Sequence, residues 1–184
     1  MTGLAGLKDS DDKILKNKPA LAAGTLSALF FILYGIELLQ LLAAYVLSAD
    51  EVKVDFYYVF ITASYNIPED LSALSAYIIL FMPVAVSVGL IHISSIFLMK
   101  VPLGFYRYAF IIFQLLILGH LLIYFIAGAI SAALPVDWNT DILKFVDYSH
   151  LEYPTNLLVV VLMMFIIILF VNFNARRVSS FINK

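Results

Sequence analysis

The stretch FFILYGIELLQLL, Phe30 to Leu42, decides how the chain is read. All but one of its residues suit lipid or a packed interior. The exception is a carboxylic acid, Glu37. Working outward, the apolar run extends from Lys18 to Asp50 with Glu37 as its only charge. A hydrocarbon core of about 30 Å needs about 20 residues of helix, so this run is long enough to cross.

Three more such runs follow. Leu71 to Met99 and Tyr108 to Val136 carry no formal charge, and the last extends from about Thr155 to Ala175. Composition agrees: the 184 residues are 63% hydrophobic and only 13% charged, with a mean hydropathy of +0.99. Soluble domains carry about twice that share of charge. Helix is the expected form of each span, because an open strand in lipid leaves its backbone groups unpaired. The expected fold is therefore all-α: an integral four-transmembrane-helix bundle with two short outer amphipathic, interfacial segments. The expected divisions are an N-terminal segment 1–18, a transmembrane domain 19–176 with spans near 22–48, 71–99, 106–134 and 155–175, and a tail 177–184.

Prolines fit this partition. Pro19, Pro68 and Pro154 stand near helix starts, where a missing N–H does no harm. Pro102 and Pro135 stand where helices should stop. Pro83 alone falls inside a span; it removes the bond to the Ile79 carbonyl and predicts a kink.

Lysine and arginine give the orientation. Nine of the eleven basic residues flank the spans on one side, leaving Lys53 and Lys144 on the other. By the positive-inside rule both termini are expected to be cytoplasmic, in a plasma or inner membrane. The opposite face holds nine acids against those two lysines. An acidic outer surface speaks against nucleic acid as a partner.

The two outer segments are aromatic. VKVDFYYVFITASYNIPED carries four aromatics in its first half alone, and VDWNTDILKFVDYSHLEY places Trp138, Ile142, Phe145 and Val146 at helical spacing. Both are expected to be short helices lying at the interface or against another protein.

A charge at mid-membrane is costly, so the polar residues inside the spans are the candidate site. If the first span covers Leu26 to Leu47, Glu37 lies about 15 Å from either end. Tyr34, Glu37, Gln40 and Ala44 fall on one arc of that helix. His120 is at a matching depth in the third span, with Tyr124, Gly128 and Ser131 continuing its stripe. Glu37 is thus expected to pair with His120, with Tyr34, Gln40 and Tyr124 completing a polar cluster. His92, Ser95 and Gln114 form a second candidate cluster nearer the basic side.

Other signals fail. The chain has no cysteine, hence no disulfide, thiolate site or cysteine nucleophile. Asp137, Asn139 and Asp141 begin like a calcium loop, but Ile142 replaces the required glycine and Tyr148 the bidentate glutamate. No metal site is expected from three scattered histidines. No Walker loop, zincin, nucleophile-elbow or dinucleotide motif is present. No cofactor is called for; a haem or a quinone headgroup is the kind the polar residues leave open.

The expectation is a non-catalytic subunit or scaffold of a larger membrane complex of the energy-transducing or translocation type, with the bilayer and other membrane subunits as partners. The alternative is a proton-, quinone- or small-molecule-handling module centred on Glu37 and His120.

Overall fold

The computed structural model describes residues 17–102, 104–134, 140–150 and 154–182. In chain order they form α1 (Lys18–Phe30), a π-helical turn (Phe31–Gly35), α2 (Ile36–Val46), β1 (Asp50–Tyr57), β2 (Phe60–Asn66), α3 (Ala73–Lys100), α4 (Phe105–Ala133), α5 (Asp141–Tyr148) and α6 (Thr155–Ile182). Among the described residues, four helices are long and apolar enough to cross a membrane: Lys18–Val46, which runs through the π turn, Ala73–Lys100, Phe105–Ala133 and Thr155–Phe181.

Their ends follow from local chemistry. The Asn17 side chain accepts from the Ala20 amide at 3.3 Å, and Ser72 accepts from the Ser75 amide at 3.1 Å. Each supplies an acceptor that the first helical turn lacks. At the far end of α2, Ser48 turns to a φ of 64°. The Ala49 amide then donates to Ala44 and the Ser48 amide to Tyr45. This pair of bonds is a Schellman motif, and it turns the chain back after the helix ends.

The returning chain is not the short helix expected from the sequence. It is an antiparallel β-hairpin, paired from Asp50↔Asn66 to Tyr57↔Phe60, so the fold is helical with a small sheet rather than all-α. Val-Lys-Val-Asp-Phe alternates apolar and charged residues, the period of a half-buried strand. Ile61 and Tyr65 on β2 are buried and Ala63 is half-buried, so this face turns inward. The loop is Tyr58-Val59, and neither residue has a positive φ. The favoured two-residue hairpin turns need positive φ and advertise themselves with Asn or Gly. This hairpin lacks that signal.

The second outer segment does contain a helix, α5. Ile142 and Val146 are buried one turn apart, and Phe145 packs on Tyr77 and Phe81 of α3. Trp138, Asp137 and Asn139 lie outside the described residues, as do the segment before Asn17, Pro135, Glu152 and Lys184.

Helix α4 is the hub: α1, α3, α5 and α6 all pack on it. Its buried face includes Ile111, Ile117, Leu118, Leu121 and Phe125. Two glycines set close approaches. A Cβ on Gly24 of α1 would stand 2.5 Å from the Ala109 carbonyl oxygen, and one on Gly128 would stand 2.8 Å from Cβ of Ile142. The π turn, in which the Ile36 amide reaches back to the Phe31 carbonyl, divides the work of the first long helix. Before it, α1 packs on α4; after it, α2 packs on α3 and on the hairpin.

Candidate functional site

The arc of α2 that carries the polar residues meets β2, which runs alongside it in the same direction. Tyr34 in the π turn donates its hydroxyl to the Val59 carbonyl at 2.7 Å. One turn on, Glu37 accepts from the Ala63 amide at 2.8 Å. A two-stranded ribbon leaves one edge of each strand without ladder partners, and Glu37 supplies an acceptor to β2. Next, Gln40 is buried and its amide nitrogen donates twice, to the Tyr65 hydroxyl at 2.9 Å and to the Ile79 carbonyl at 3.3 Å.

The second of these bonds has a cause in the sequence. Pro83 has no N–H, so the Ile79 carbonyl loses its partner within α3. Freed carbonyls in membrane helices need another donor, and Gln40 is that donor. Helix α3 continues through Pro83, which is buried.

From Tyr65 the network crosses to α5 and α4. The Tyr65 hydroxyl donates to Oδ1 of Asp141 at 2.7 Å, and the Tyr124 hydroxyl donates to Oδ2 at 2.9 Å. Asp141 opens α5, where a helix N-terminus favours a carboxylate. Thr140 before it caps the helix by accepting from Leu143 and also meets Ser131 of α4. The Lys144 ammonium lies 4.1 Å from the centre of the Tyr65 ring and 4.0 Å from Oδ1 of Asp141. Burial pushes the Tyr65 hydroxyl well above the usual phenol range, and the adjacent Asp141 carboxylate pushes it further. It therefore acts as a neutral donor.

The anticipated pairing of Glu37 with His120 is not present: no hydrogen bond or ion pair joins them among the described residues. Glu37 is taken by the Ala63 amide instead. His120 is half-buried, with its ring centre 6.5 Å from that of Tyr124. The network also joins residues at one height along the bundle. Counted at about 1.5 Å per residue from Lys18, Glu37 stands about 28 Å along its helix. Tyr124 stands about 26 Å from Arg107, and Ile79 about 31 Å from Lys100. All three therefore stand at similar heights above the basic ends of their helices.

Of the second candidate cluster, Gln114 donates to Ser95 at 2.8 Å and to the Ile91 carbonyl at 3.4 Å, all within the α3–α4 seam. His92 is exposed. It is one residue from buried Ile91, so it turns about 100° away from the seam.

The residues not anticipated are Tyr65, Asp141 and Lys144. Asp141 stood within the failed calcium pattern, and a Thr-Asp helix start was its only signal. Chemically the arrangement is a clasp. It joins α2, β2, α3, α4 and α5 through donors and acceptors that satisfy one another. Neither a known protein family, nor a curated protein, nor a solved structure matches this chain, so its geometry alone carries the functional reading.

Proposed function

We propose that the chain is a non-catalytic membrane subunit or scaffold, with both termini on the cytoplasmic side and the hairpin and α5 outside. The observation that carries this is the fate of Glu37. Intramembrane acids lean toward transport or catalysis, but here the acid accepts from a backbone amide of the chain's own hairpin. Gln40, Tyr65, Tyr124 and Asp141 are likewise spent on one another. Assembly with other membrane proteins is supported by α6. Its residues Val161, Leu162, Phe165, Ile166, Ile168 and Leu169 form a broad exposed apolar surface. The proton- or quinone-handling alternative draws less support, because His120 stands apart from Glu37.

The test is extraction from the native membrane in mild detergent, followed by mass measurement of the intact species. A scaffold migrates with fixed protein partners, and Glu37→Gln leaves the assembly intact. A chain that migrates alone and unaccompanied would overturn the proposal. Orientation is read by introducing single cysteines, since the native chain has none. A cysteine at Tyr58 should label from outside sealed cells and one at Ser180 should not.

A further inference from the structure

Helices α1 and α3 each pack on α4, yet they do not form a packed pair with each other. They converge only beyond the π turn, where α2 meets α3. Gly24 is one cause, since it seats α1 directly on the Ala109 carbonyl. Below the turn this leaves a cavity of about 390 Å³. Ala23 and Ser27 line one wall, Ile93 and Phe97 the other, and Phe110 and Phe113 the floor. Such a volume falls within the range of small-molecule sites, about 300–1,000 Å³.

Among the described residues, no charged side chain lines the cavity. Ser94, also on its wall, spends its hydroxyl on the Ile91 carbonyl at 3.0 Å. The wall formed by α1 and the start of the π turn extends from Ala23 to Phe31, about 12 Å of helix, close to the depth of one leaflet. Both walls end in cations. Lys18 opens α1, about 8 Å before Ala23, and Lys100 closes α3, about 5 Å beyond Phe97. Both lysines are exposed. Arg107 is not part of this mouth, because its guanidinium lies over the Phe181 ring at 5.9 Å, on the α6 side.

We propose that this slot holds one acyl chain of an anionic phospholipid, with the phosphate between Lys18 and Lys100. The chain alone could not select a lipid, because any tail in the bilayer is as apolar as the slot. Selection comes from the headgroup. A juxtamembrane lysine favours an anionic surface enough that two give a preference on the order of tenfold or more. This site is separate from the clasp and holds whether or not the chain is a subunit.

The experiment is native mass spectrometry of the full chain in mild detergent, supplied with equal phosphatidylglycerol and phosphatidylcholine. One retained phosphatidylglycerol is expected, favoured about tenfold. Lys18→Gln combined with Lys100→Gln should keep a bound lipid but remove the preference. These positions end exposed helices, so the variant tests the headgroup without disturbing the core. Ser27→Phe fills the slot and should abolish retention. Glycerol phosphate, which has the charge without the chain, should not compete. Equal retention of both lipids by the unaltered chain would overturn the proposal. So would an unchanged preference in the double lysine variant, or displacement by glycerol phosphate.

Discussion

Removing Asp141 should loosen the hairpin end of the bundle. Its carboxylate accepts from two phenols, Tyr65 at 2.7 Å and Tyr124 at 2.9 Å. A hydrogen bond to a charged group contributes about 1.5–3 kcal/mol net, so two would reach about 3–6 kcal/mol. That range is an upper bound here. The Asp141 side chain keeps 14% of its surface in contact with solvent, and water can enter the vacated space. Asp141→Ala should therefore cost about 3 kcal/mol, near the lower limit. Asp141→Asn keeps one acceptor oxygen and loses the charge, so about half that loss is expected. The assay is reversible unfolding in mixed micelles, read by helical circular dichroism. A cycle with Tyr124→Phe isolates the pair, and its coupling should be about 1–2 kcal/mol, in the range of directly bonded neighbours. A coupling below about 0.3 kcal/mol, the level of distant independent sites, would refute the clasp.

Gln40→Leu leaves the Ile79 carbonyl without its substitute donor, removes the bond to Tyr65 and should destabilise by about 1–3 kcal/mol; pairing it with Pro83→Ala, which restores the helical N–H, should recover only the share owed to Ile79 in the same unfolding assay. Gly128→Ala drives a methyl into Ile142, with Cβ and Cγ1 both 2.8 Å away, so α5 must lift and protease cleavage between α4 and α6 should accelerate, whereas unchanged cleavage would count against the packing. Raising pH should weaken the fold through Tyr65, whose hydroxyl is held above the usual phenol range. The stabilisation is complete below about pH 10 and declines above it, as the unfolded chain releases a proton that the folded one keeps. Melting temperatures across that interval should fall more steeply for the unaltered chain than for Tyr65→Phe.

The four long helices are legible because runs of this length without charge have few other outcomes. The arc of Tyr34, Glu37, Gln40 and Ala44 is equally plain, since helical period alone sets which residues share a face. What that arc touches is not local information. Its partner, β2, follows a turn made of Tyr58 and Val59, which carry none of the usual turn chemistry. The alternation in Val52 to Phe56 is a strand signal, but the aromatic content of the same segment is equally that of an interfacial helix. Asp141 was hidden differently. It shares the acidic outer segment with solvated neighbours, and only the docking of α5 on α4 buries its contacts.

The π turn at Phe31–Gly35 makes the length of this stretch matter more than its letters. Such a turn holds one residue more than an α-helix would, and each residue carries about 100° of rotation. Were the turn to relax to a plain helix with every residue kept, α2 would swing by roughly that angle relative to α1. One half could stay docked on α4, or the other could keep its three rungs on the hairpin, but not both. The π turn therefore acts as a phase adjuster between two independent contact faces, absorbing a residue that a plain helix would convert into rotation.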